Sequence, residues 1–63
     1  MSTETRADIV LEEAKTNIQF AIEKLSEIVI NKCYGYDEFS VDYRNKIATS
    51  FNVLLSIRDN LDV

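Results

Sequence analysis

The feature that most constrains this chain is a seven-residue repeat in its first half. Leu11, Ile18 and Leu25 hold one position of the repeat, and Ala7, Ala14, Ala21 and Ile28 hold the alternating one. Spacings of three and four in turn put all seven side chains on one stripe of an α-helix. A stripe of that length needs cover, and a chain of 63 residues has little else to cover it with.

Domains this small usually lean on disulfides, a metal or a partner subunit. Cys33 is the single cysteine, so no intramolecular disulfide forms, and a lone thiol fits a reducing compartment. Histidine is absent, which leaves no metal-ligand spacing and no metal or cofactor to expect. A partner subunit is the remaining route. Against 7 basic residues stand 11 acidic ones, for a net charge of −4; that sign disfavours nucleic-acid phosphates and anionic membranes. Arg44 and Lys46 are close together, but the basic residues are spread along the chain and do not build the stripe that nucleic-acid binding needs. Residues 1–5 lack the basic start and apolar core of a signal peptide. No segment approaches the roughly 20 apolar residues of a membrane span.

The expected fold is all-α, a single antiparallel two-helix hairpin across residues 1–63. Thr5 with Asp8 three positions on is a modest capping-box signal for a first helix over about 5–34. Gly35 is its natural stop, since glycine takes the left-handed conformation without a side-chain penalty. In that arrangement Tyr36 pairs with Ile30. A turn over about 35–40 follows, with Asp37 and Ser40 both eligible to cap what comes next. The second helix is expected over about 41–61. Its stripe is Tyr43, Ile47, Ser50, Leu54, Ile57 and Leu61, widened on one flank by Ala48, Phe51 and Leu55. Asp42 and Lys46 form a favourable pair one turn apart.

A hairpin has only one internal contact line, and these helices carry more apolar surface than one line absorbs. The expected solution is a homodimeric four-helix bundle or a higher oligomer. Self-association then falls to Leu11, Ala14, Ile18, Ala21, Leu25 and Ile28 with Ile47, Phe51, Leu54, Ile57 and Leu61. The alanines allow a close helix approach, with helix two or with the other subunit's helix one.

Candidate contacts with a larger protein are Tyr34, Tyr36, Asp37 and Glu38 in the turn, because tyrosine offers rigid area with a polar tip. Phe39 and Tyr43 are expected to plug the end of the bundle instead. Ile9 and Phe20, eleven residues apart and nearly aligned, lie away from the stripe and are further contact candidates. Arg44 and Arg58 project near the centre of the apolar arc of helix two. A guanidinium there either snorkels to water or holds a carboxylate or bound anion. Cys33, at a helix C-terminus with no base nearby, reads as a buried small hydrophobe rather than a nucleophile. Glu12, Glu13, Glu23 and Glu27 fall on or near the face opposite the stripe, the ordinary solvated side of an amphipathic helix.

The sequence shows no nucleophile motif, no glycine-rich phosphate loop and little volume for a cleft, so an enzyme is not expected. The reading is a small interaction module, a regulator, inhibitor or adaptor that covers part of a larger protein. The alternative is an oligomeric binder of an anion such as a nucleotide, using Arg44 or Arg58. In length and layout the chain is similar to short two-helix proteins of bacteria and their phages, among them secretion co-chaperones and phage inhibitors of host systems. The likeness is one of outline, with no shared motif, and it implies a regulatory or inhibitory role. The location expected from the sequence itself is the cytoplasm, or the host cytoplasm for a viral protein.

Overall fold

Thr5 starts the first helix as the sequence pattern suggests. In the computed structural model, which describes residues 4–62, its hydroxyl accepts from the Asp8 N–H at 3.2 Å while the Asp8 carboxylate accepts from the Thr5 N–H at 3.0 Å. This reciprocal box satisfies two otherwise orphaned donors. Helix α1 runs Arg6–Val29. After a short 3₁₀ turn at Tyr36–Glu38, helix α2 runs Val41–Leu61. The two helices pack on each other as a hairpin, and no strand occurs among the described residues.

The end of α1 departs from expectation. The helix stops at Val29, five residues short of the anticipated boundary at 34, and Gly35 is not its terminator. The last turn widens instead: the Ile30 and Asn31 N–H groups both donate to the Ser26 carbonyl. Lys32 then takes a left-handed conformation (φ 50°), and the Cys33 N–H donates back to the Glu27 carbonyl at 3.1 Å. These bonds consume carbonyls that a helix end otherwise leaves open. Gly35 (φ 93°) serves the next element, as the N-cap of the 3₁₀ turn. Ile30 is 62% exposed, so little of it gains the shelter that the expected pairing with Tyr36 would give. Cys33 is exposed in the connection, not buried.

Ser40, not Asp37, caps α2; its hydroxyl accepts from the Tyr43 N–H at 3.1 Å. Asp42 and Lys46 pair at 3.3 Å as their spacing implies.

The helices are out of step. α1 has 24 residues and α2 has 21, about 36 and 32 Å of helix, yet the molecule is 53 Å long and 18 by 15 Å across. Its radius of gyration of 15.2 Å exceeds the roughly 11 Å of a compact chain this size. The far end of α2 lies beside the middle of α1, where Arg58, Leu61 and Asp62 share a groove with Lys15, Ile18 and Gln19. Residues 6–13 of α1 extend past that point and are all exposed.

Burial is correspondingly thin. Among the described residues only Ile22 (5% exposed) and Phe51 (9%) are buried. Half-buried around them are Ala14, Ile18, Ala21, Leu25, Ile28 and Val29 on α1, and Ile47, Ala48, Leu54, Leu55 and Leu61 on α2. The line that faces the neighbouring helix therefore runs through Ile22 and Phe51. It lies to one side of the seven-residue stripe, which did not include Ile22, and of the α2 stripe, on which Phe51 stood only at the flank. Tyr43, Ser50 and Ile57 of the expected α2 stripe remain exposed.

Candidate functional site

The connection between the helices gathers the chemistry that the chain displays. Tyr36, Phe39 and Tyr43 form a chain of edge-to-face rings, with centroids 6.4 Å apart for the first pair and 5.3 Å for the second, each at 84°. This geometry sets the positive edge of one ring against the negative face of the next. The 3₁₀ turn supplies Tyr36, the segment before the Ser40 cap supplies Phe39, and the first turn of α2 supplies Tyr43. The trio lies on the outside of the turn: Phe39 and Tyr43 are both exposed and do not plug an end of the hairpin as expected. Tyr36 is half-buried by its neighbours, so it is less open for contact than its position in the turn suggested.

Arg44 completes this cluster. Its guanidinium stands 5.8 Å from the centre of the Tyr36 ring and 3.9 Å from the Asp37 carboxylate. Its Nε is buried and has no hydrogen-bond partner. Tyr34, by contrast, is 100% exposed, and Asp37 and Glu38 are exposed beside it. Of the expected turn contacts, Tyr34, Asp37 and Glu38 are open, while Tyr36 is half-buried.

Arg58 lies at the opposite end of the hairpin. It lines an open groove of about 420 Å³ with Lys15, Gln19, Glu23, Leu61 and Asp62 among its walls. Two cations and two carboxylates balance there, and the Arg58 guanidinium points to Asp59 at 3.5 Å. The groove is therefore no anion cradle. More than 35% of the Arg58 side chain stays open, as for an arginine whose stem lies on apolar surface. The structure separates Arg44 from Arg58 by most of the length of α2, so they do not form one site.

Ile9 and Phe20 are both exposed. The Lys24 ammonium sits 5.5 Å from the Phe20 ring centre, which gives this outlying ring a local partner. Glu12, Glu13, Glu23 and Glu27 are exposed as expected, with Lys15 3.6 Å from Glu12. Among the described residues no group of histidine, cysteine and carboxylate side chains could hold a metal, and no helix is long and apolar enough to cross a membrane.

Sequence reasoning missed Val10 and Val53 as exposed apolar residues. Val10 was signalled by its place four residues before Ala14 and Val53 by its place four before Ile57, each just beside the stripe. Comparison with protein-family models, curated proteins and solved structures finds no match to this chain.

Proposed function

We propose that this chain is a small non-catalytic interaction module that associates with itself through its apolar face and covers part of a larger protein with its turn. The observation that carries the reading is the imbalance between apolar surface and cover. Among the described residues two are buried and eleven large apolar side chains are exposed, and unsheltered apolar surface on this scale marks protein contacts. Self-association into a two-fold four-helix assembly, or a higher oligomer, is the simplest cover because the open faces of two hairpins are alike. The open Tyr34, with Asp37 and Glu38, suits a partner with basic surface. The exposed single thiol fits a reducing compartment, so we place the module in the cytoplasm.

Light scattering on the purified chain tests the first half: the mass is expected at a multiple of 7.2 kDa. Affinity capture from source cells tests the second: a stoichiometric partner is expected, and Tyr34→Ala should release it without changing the melting temperature. A monomer that captures nothing would remove the proposal.

The second reading, an anion binder, is favoured by one observation, the unpartnered Arg44 Nε beside Tyr36. Thermal shift with a panel of nucleotides separates the two. A rise of several degrees with one anion, absent in Arg44→Gln, would put the ligand reading first.

A further inference from the structure

The stagger of the hairpin leaves one particular surface without cover. Residues 6–13 of α1 are helical and capped, yet exposed throughout. These two turns, roughly 12 Å of helix, carry Ala7 and Leu11, which open the same apolar stripe that is half-buried from Ala14 onward, and Val10 just beside it. Val10 is 43% exposed and Leu11 41%. A helix end with nothing packed on its apolar side frays, because helical stability in proteins comes mostly from that packing.

The chain as a whole also exposes more surface than its mass requires. The chain exposes 5125 Å², whereas a compact monomer of 7.2 kDa exposes roughly 4,100 Å². The difference, about 1,000 Å², slightly exceeds the roughly 800 Å² that each partner gives to an interface of standard size.

We propose that a second copy of this chain supplies the cover, with the two α1 helices antiparallel and crossing at Ala14. Each copy's residues 6–13 then lie along residues 15–22 of the other, on the apolar side that its own α2 leaves open. The proposal rests on the self-association reading above and fixes its geometry. The repeat is symmetric about Ala14: a two-fold axis there sets Ala7 against the partner's Ala21 and lets the helix axes approach to near 8 Å. The free end and the segment it meets also have equal length. A parallel pairing about the same stripe would set each uncovered end only against the other, beyond the reach of either α2.

Cysteine cross-linking in a Cys33→Ser background tests the arrangement. Cysteine differs little in size from alanine, and a disulfide requires Cα atoms within about 7 Å. Ala14→Cys alone is expected to form a linked dimer on oxidation. Ala7→Cys alone and Ala21→Cys alone are expected to stay unlinked, and an equal mixture of the two to link. A dimer by light scattering in which Ala7→Cys links to itself, or Ala14→Cys does not link, overturns the arrangement and leaves self-association standing. A chain that is monomeric at every concentration overturns both. Leu11→Glu provides a readout independent of the cysteine variants. It is expected to weaken association at least tenfold with the helix content of α2 and the rest of α1 retained; unchanged association would overturn the proposal.

Discussion

The guanidinium of Arg44 and the ring of Tyr36 face each other at 5.8 Å across the turn, joining the first turn of α2 to the 3₁₀ turn before it. A cation over a ring face at a partly exposed site is worth about 0.5–1 kcal/mol. The adjoining Asp37 carboxylate, 3.9 Å away and almost fully open, adds little, since exposed ion pairs have a median near 0–1 kcal/mol. A double-mutant cycle of Arg44→Ala and Tyr36→Leu is expected to give a coupling of about 0.5–1 kcal/mol. A coupling of zero would mean that the two groups only happen to be neighbours.

The connection contains two left-handed residues of opposite suitability. Lys32 adopts φ 50° with a full side chain, whereas Gly35 adopts φ 93° without one. For an ordinary residue this conformation costs roughly 1–2 kcal/mol. Lys32→Gly is therefore expected to stabilise the fold by about 0.5–1 kcal/mol, partly offset by the looser unfolded chain. Gly35→Ala is expected to destabilise it by about 1–2 kcal/mol. The added Cβ would lie 3.3 Å from the Glu38 Oε2, the end of a flexible side chain that can move aside. Urea melts of the two variants check the opposite signs.

The two N-caps should differ in reach. Ser40 caps α2 where the chain enters its packed part, and Thr5 caps an end with no cover. Removing a cap typically costs about 1 kcal/mol. Ser40→Ala is expected to lower global stability by that amount. Thr5→Ala in a dissociated chain is expected to speed amide exchange only in the first turns of α1, because local fraying there is uncoupled from the rest. Hydrogen exchange at low protein concentration distinguishes the two.

The structure's agreement with the sequence follows from how local each signal is. The Thr5–Asp8 box, the Asp42–Lys46 pair and the bounds of α2 depend on residues within one turn of each other, and all stand as the pattern implies. The end of α1 depends on something else. Residues 30–34 contain neither proline nor glycine and have no local reason to stop. The chain turns there to bring α2 alongside α1, which is a tertiary demand. The centre of the contact was displaced for a related reason. Under the proposed self-association, an apolar stripe on each helix would serve two neighbours at once, so its midline would point between them. Only the face toward α2 is covered in the hairpin, which shifts burial to Ile22 and Phe51. The run Ile18, Ile22, Leu25 and Val29, all large and at helical spacing, was the available signal. The exposed position of Cys33 then follows directly from the early stop of α1.

With so small a core, single truncations should be severe. Ile22→Ala is expected to cost about 2–4 kcal/mol and Phe51→Ala about 3–5 kcal/mol. Either approaches the whole stability of a 63-residue chain, for which roughly 0.05–0.15 kcal/mol per residue is usual. Circular dichroism should show both variants largely unfolded at 37 °C. Ile30→Ala, at an open position, should change stability by no more than about 0.5 kcal/mol.

Association and folding should also be inseparable in the melt. If the apolar side of the hairpin is covered by another copy, the native species contains two chains and the unfolded species one. Mass action then raises the melting temperature with protein concentration. For a small domain about 1 kcal/mol moves the midpoint by roughly 4–8 °C. A hundredfold rise in concentration shifts the folding free energy by about 2.7 kcal/mol per dimer, or about 1.4 kcal/mol per chain. The midpoint should therefore climb by roughly 6–11 °C across that range. Leu11→Glu, which disturbs only the uncovered end of α1, should flatten this dependence before it lowers helix content. A wild-type midpoint that stays constant across the same range would show that two buried residues and their half-buried neighbours suffice to hold a single chain.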